Sequence, residues 1–237
     1  MTVDVLAIGA HPDDVEIGIG GLIHKLAKQG VRVAILDMTA GELASRGTLE
    51  ERGKESTLAA ERLGVTQREN AGLPDGKLSD AADQRVRIIP FIRSFRPRLL
   101  LAPAANDRHP DHEAAHHLVR AANFLSGLTR IETGRDPYRV PVIYYYQVHG
   151  HGEVPPFVVD ISEHYEAKLH ALRAYESQLH NPDYEGPKTY VSSPEFWEFI
   201  QTRAAFWGNR IGVKYGEPLY ADLPVRVDLP LGLEDLR

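Results

Sequence analysis

The sequence predicts an α/β protein of Rossmann-like form, a mainly parallel β-sheet with helices on both faces. Three observations carry that expectation. Runs that read as strands alternate with helical periodicity through the first half of the chain, the pattern of βαβ units. The first two of those strand-like runs are mostly apolar, as parallel strands covered on both faces require. No internal repeat, low-complexity stretch or long linker breaks the 237 residues, so one domain spanning 1–237 is expected.

Val3–Ile8 is a short apolar run ended by Gly9, a buried strand. Glu16 to Gln29 reads as a helix, with Ile19, Leu22, Ile23 and Leu26 on one face and Gly30 just past its end. Val31–Thr39 is rich in β-branched and apolar residues and forms a second strand. Thr48 and Glu51 make a capping box, opening a helix that runs to about Leu63 before Gly64. A third extended piece falls near Arg68–Leu73, and Pro74-Asp75-Gly76 turns the chain. Val86–Phe95 is helical in pattern but contains Pro90, which predicts a kink or a late start. Leu99–Ala102 is a fourth strand and Asp111–Leu125 a helix. Beyond it, Val142–Val148 and Phe157–Ile161 read as strands and Ser162–Leu179 as a helix. Ser193-Pro194 supplies a cap and a first-turn proline to a last helix reaching about Trp207.

Composition narrows the function. There is no cysteine, so disulfides and thiolate metal sites are excluded, and a transition metal would rest on His, Asp and Glu. The formal net charge is -6 with both signs interspersed, which argues against a nucleic-acid partner. No apolar run approaches the roughly 20 residues of a membrane span, and Met1–Leu6 lacks a basic n-region, so a cytoplasmic location is expected.

Two segments concentrate the chemistry. Gly9-Ala10-His11-Pro12-Asp13-Asp14 follows the first strand, and Asn106-Asp107-Arg108-His109-Pro110-Asp111-His112 follows the fourth. In doubly wound sheets, ligands bind at the carboxyl ends of strands, so both loops can face one crevice. His11 and Asp14, three apart in a loop leading into a helix, with His112 from the second loop, make a three-ligand set for catalytic zinc, leaving a position for water. Asp13 is then free to shuttle a proton, His109 to donate to an oxyanion, and Asp111 to orient the His109 ring. Together these roles suffice for hydrolysis of an amide. The plain alternative for each loop is a turn or a cap, with Asp14 and Asp111 serving the helices they precede; two such loops of nearly the same form favour the metal. The other histidines read as structural or solvated.

A dinucleotide-binding fingerprint is the rival, suggested by Gly18, Gly20 and Gly21 with Asp37 ending the second strand. The spacing lacks the final small residue, and Asp13 and Asp14 in the turn would repel a pyrophosphate. Close packing of the first helix explains the glycines better.

The paired signatures Ala10-His11-Pro12-Asp13-Asp14 and His109-Pro110-Asp111-His112 resemble those of the LmbE-like (PIG-L) deacetylases. The resemblance implies a Rossmann-like zinc enzyme that deacetylates N-acetylglucosamine conjugates. It carries metal ligation onto His11, Asp14 and His112, the general base onto Asp13, and oxyanion stabilisation onto His109. Gly41-Glu42-Leu43, Ser45-Arg46-Gly47-Thr48, Asp107-Arg108, Tyr175-Glu176-Ser177-Gln178 and Tyr215-Gly216-Glu217-Pro218-Leu219-Tyr220 extend the likeness toward the branch that acts on N-acetylglucosaminyl L-malate in bacillithiol biosynthesis. That branch implies substrate contacts at Arg52, Arg108 and Tyr190, and a homo-oligomer, often a hexamer. Arg52, among Glu50, Glu51 and Glu55, also reads as part of a solvated helix face. Amidases of thiol S-conjugates, deacetylases of other N-acetylated sugars and a non-catalytic metal- or sugar-binding module are the alternatives; a binding module needs no Asp13.

Overall fold

In chain order the elements are β1 (Val5–Gly9), α1 (Asp14–Lys28), β2 (Val33–Asp37), α2 (Leu49–Leu63), β3 (Gln67–Asn70), α3 (Ala82–Phe95), β4 (Leu99–Pro103), α4 (Pro110–Ser126), β5 (Val142–Tyr146), β6 (Phe157–Asp160), α5 (Tyr165–Leu172), α6 (Pro194–Arg210) and β7 (Gly216–Leu219). The structure, a computed structural model, describes residues 2–150 and 154–224. The first five strands form one parallel sheet in the order β3-β2-β1-β4-β5. Pleating sends alternate residues of β1 to opposite cores. Leu6 and Ile8 pack with Ala34, Leu36 and Leu100 under α3 and α4, through Ile88, Ile92, Leu118 and Val119. Val5 and Ala7 pack with Val33 and Ile35 on the other face, under residues of α1, α2, α5 and α6 such as Ile23, Leu63, Leu172 and Ile200. Helices therefore cover both faces, the expected α/β arrangement.

The glycines of α1 are there for contact. A Cβ on Gly18 would run into the Tyr146 ring, and one on Gly21 would stand 2.7 Å from Ile161. Asp37, the residue a dinucleotide reading would assign to a ribose, instead pairs with Arg68 of β3 at 2.7 Å.

Several boundaries differ from the sequence expectation. The first helix begins at Asp14 rather than Glu16. The third begins at Ala82 and runs through Pro90 without a break in its dihedrals. The carbonyl that loses its partner there belongs to Val86, on an exposed stretch where water can serve. The helix expected over 162–179 is only α5; beyond Leu172 the chain continues in tight turns, because Ser177 turns its amide and hydroxyl to Glu55 of α2 (2.7 and 2.8 Å). Strand β7 carried no strand signal, its Gly-Glu-Pro-Leu being poor in β-formers. It forms by pairing antiparallel with β6, and a Tyr145–Tyr220 bridge ties this small sheet to β5.

Candidate metal centre and active site

The sheet order reverses between β1 and β4, and the loops that follow these two strands face each other across that point. The first loop delivers Asp13 and, in the opening turn of α1, Asp14; the second delivers His109 as the N-cap of α4 and His112 in its first turn. Asp14 lies between the two imidazoles, its Oδ1 3.1 Å from His112 Nε2 and its Oδ2 3.5 Å from His11 Nδ1. Ring nitrogens of His11, His109 and His112 also lie within 4.8 Å of one another, as do donors of His11, Asp75 and Asp111.

Each imidazole is held from behind by a carboxylate. His112 Nδ1 stands 3.0 Å from Asp107 Oδ1, while Asp107 Oδ2 accepts the amides of Val148 and His149. His11 Nε2 stands 3.1 Å from Asp75 and 3.3 Å from Asp111. Carboxylates in this position fix the orientation and tautomer of metal-ligating histidines. Burial opposes the charge on His112, but Asp14 and Asp107 prevail and raise its pKa to about 9. Burial likewise raises Asp14, and the two histidines overcome it, holding that carboxyl well below its usual range. The constellation is thus built around positive charge. His and Asp donors with backing carboxylates and no thiol suit zinc, so the residues present fit that ion.

Asp13 adopts φ 109°, a left-handed conformation that strains any residue but glycine. Burial pushes its carboxyl up to about 7, against the pull of Arg52. His109 accepts the Asp111 amide on Nδ1 at 3.2 Å, which leaves Nε2–H as the donor of its neutral ring; burial and the neighbouring histidines lower its pKa.

The structure gathers His11, Asp13, Asp14, His109, Asp111 and His112 in one place, with two corrections among the expected roles. The Asp111 side chain does not orient His109; its Oδ2 faces His11 and accepts the Gly76 amide at 2.8 Å, and only its backbone N–H meets the His109 ring. Arg52 is not on a solvated face. It is 6% exposed, and its fork is spent on the carbonyls of Pro12 (2.6 Å) and Gly41 (3.3 Å) and on Asp13 (3.4 Å), because α2 leans its first turns against the loop after β1. Arg108 and Tyr190 come together instead, the exposed guanidinium 4.2 Å from the ring centroid. Sequence reasoning missed Asp75, Asp107 and His149. Asp107 lies two residues before the second signature, and Asp75 sits in a turn after β3, at the same sheet edge as the other loops; those positions were the available signal. His149 stacks on His112, centroids 5.5 Å apart, and nothing in its local sequence marks it.

Comparison with known proteins agrees with this geometry. Residues 6–123 match the family model described as GlcNAc-PI de-N-acetylase. A diacetylchitobiose deacetylase of Thermococcus kodakarensis is 32% identical over 90% of this chain and 80% of its own. A probable N-acetyl-α-D-glucosaminyl L-malate deacetylase of Bacillus cereus is 30% identical over 73% of this chain and 83% of its own. The crystal structure of a conserved protein from Thermus thermophilus superposes with a TM-score of 0.88 at 38% identity, covering 98% of this chain and 99% of that one. The chain belongs to the PIG-L, or LmbE-like, deacetylase family.

Proposed function

We propose that this protein is a zinc-dependent N-deacetylase that hydrolyses the acetamide of an N-acetylglucosamine conjugate. The observation that carries the reading is a buried carboxylate, Asp13, set beside the His11–Asp14–His112 cluster, with a donor histidine, His109, 4.7 Å from His11 between ring centroids. His11, Asp14 and His112 would hold the metal. Asp14 faces both imidazoles, whereas the Asp75 and Asp111 carboxylates pair with His11. When bound, zinc supplies a Lewis acid that polarises the carbonyl and acidifies water. Asp13 takes the proton of the attacking water as the new C–O bond forms. His109 Nε2–H donates to the oxyanion. As the C–N bond breaks, Asp13 returns the proton to the amine, giving acetate and the free amino sugar.

For the aglycone we propose L-malate, as in bacillithiol biosynthesis. With Arg52 buried, this rests on the exposed Arg108 fork, which suits a carboxylate, and on the malate-acting relative. A second reading, a diacetylchitobiose-like neutral sugar, is supported by the platform that Arg108 and Tyr190 form and by the chitobiose-acting relative. We also propose a homo-oligomer, hexameric in form and checked by light scattering, and a cytoplasmic location.

The test is acetate release from N-acetylglucosaminyl malate, N,N'-diacetylchitobiose and free N-acetylglucosamine, with and without chelator. Zinc-dependent release from a conjugate is expected. No release from any of the three by the zinc-loaded protein would overturn the reading. Arg108→Ala separates the aglycones: losing one charge-assisted bond of about 1.5–3 kcal/mol should lower kcat/KM for the malate conjugate roughly 10- to 150-fold and spare free N-acetylglucosamine. Equal losses on both would exclude Arg108 as a carboxylate receptor.

A further inference from the structure

We infer that Arg203 of α6 is a positioning residue that sets the first metal-bearing loop against the second; the inference rests on the zinc centre proposed above. The starting point is a break in α1. Ile19 leaves helical geometry (φ −139°, ψ 23°), so the turn carrying Asp14 is not rigidly continuous with the rest of the helix. Backbone groups around the break find partners elsewhere, as buried amides and carbonyls must. Beyond it, the amides of Gly21 and Leu22 donate to Glu217 at 3.0 and 2.7 Å, and Lys168 Nζ neutralises that carboxylate at 2.6 Å. Before it, the carbonyl of Ile17 accepts from Arg203 Nη2 at 2.6 Å.

The other arm of Arg203 reaches the second loop system. Its Nη1 donates to the carbonyls of Val148 (2.5 Å) and Gln147 (3.2 Å). The amides of Val148 and His149 hold Asp107 Oδ2, and Asp107 Oδ1 holds His112 Nδ1. A single buried guanidinium, over the Phe199 ring at 5.2 Å, therefore joins the turn of Asp14 to the backbone that supports His112. A planar, rigid fork can hold two segments at a fixed separation; a lysine ammonium on a flexible stem cannot. Many buried arginines only satisfy carbonyls and stabilise the fold. The break at Ile19 makes this one different: it uncouples the turn of Asp14 from the rest of α1, and the Arg203 fork ties that turn directly to the loop after β5.

Arg203→Lys tests the assignment, with Glu217→Gln as the control on the far side of the break. Three quantities are measured: the melting temperature of the metal-free protein, the zinc dissociation constant by chelator competition, and the visible spectrum of the cobalt-substituted protein. Arg203→Lys should weaken zinc roughly 10- to 100-fold, the usual cost of losing an outer support of a metal ligand, and shift the cobalt bands. Glu217→Gln should lower the melting temperature and leave zinc affinity and the cobalt spectrum unchanged. Wild-type zinc affinity and cobalt bands in Arg203→Lys would overturn the inference, and so would an equal zinc loss in Glu217→Gln. Should Arg203→Lys fail to fold, hydrogen exchange of the wild type decides: zinc should slow exchange in residues 199–207 of α6, and no change there would overturn the role. A wild type that bound neither zinc nor cobalt would sink the zinc centre itself, a failure distinct from these.

Discussion

Asp13 shows how far one residue depends on its neighbours. Its positive φ costs about 1–3 kcal/mol, and the conformation persists because Arg52 holds both the Pro12 carbonyl and the Asp13 carboxylate. With a carboxylate facing the cluster but not needed to ligate, Asp13→Asn should retain full zinc while kcat falls by roughly 10² to 10⁴. Turnover at the wild-type rate would end its assignment as general base. Asp107 makes the complementary case. It touches no substrate in this scheme, yet it backs His112 and anchors two amides of the loop after β5. Asp107→Ala should therefore weaken zinc roughly 10- to 100-fold, read by chelator competition; an unchanged dissociation constant would leave the carboxylate a loop anchor only.

At the scale of elements, the edge strand β3 is the least apolar of the five, and its place in the sheet depends on ion pairing rather than on an apolar face. Arg68 of β3 reaches Asp37 of β2 and Glu16 of α1, and Tyr175 donates to the same Glu16 at 3.1 Å. Burial raises the pKa of Asp37 even so. Removing the cation from such a network leaves two carboxylates uncompensated, so Arg68→Met should cost about 3–5 kcal/mol in urea unfolding without changing zinc affinity in the folded fraction. A loss below about 1 kcal/mol, the scale of an exposed pair, would mean that water or protonation compensates these acids. The cap of α2 is a smaller device: the Thr48 hydroxyl accepts the Glu51 amide, and the Glu51 carboxylate accepts the Thr48 amide at 2.7 Å.

For the whole molecule, the proposed metal centre joins elements that the chain separates widely. Its proposed ligands come from the loop after β1 and the first turns of α1 and α4, and their supports from the turns after β3, β4 and β5. Zinc bound to the folded state and not to the unfolded chain stabilises by mass action, about 4 kcal/mol at a thousandfold excess over the dissociation constant. For a chain of this length that corresponds to a rise in melting temperature on the order of 10 °C. Calorimetry across a zinc titration, reversed by chelator, measures it. A melting temperature independent of zinc would contradict ligation that spans both halves of the sheet.

Much of what is local in the chain was legible in the sequence. The alternation of apolar runs and helical periods implied the parallel sheet, Thr48 and Glu51 marked the start of α2, and the spacing of His11, Asp13 and Asp14 and of His109 and His112 brought out the centre, since strand ends and helix starts a few residues apart cannot diverge far. What the tertiary structure decided are the contacts between distant segments. Arg52 looked solvated among glutamates but lies buried, because α2 turns that side toward the loop after β1. Asp75 meets His11 because the sheet order places their loops at the same edge, and Arg108 meets Tyr190 because the segment before α6 comes over the loop after β4. Strand β7 exists by virtue of its partner β6 rather than its own residues. Propensity and periodicity act over a few residues, whereas these positions follow from which strands become neighbours, and that is settled by the packing of the whole chain.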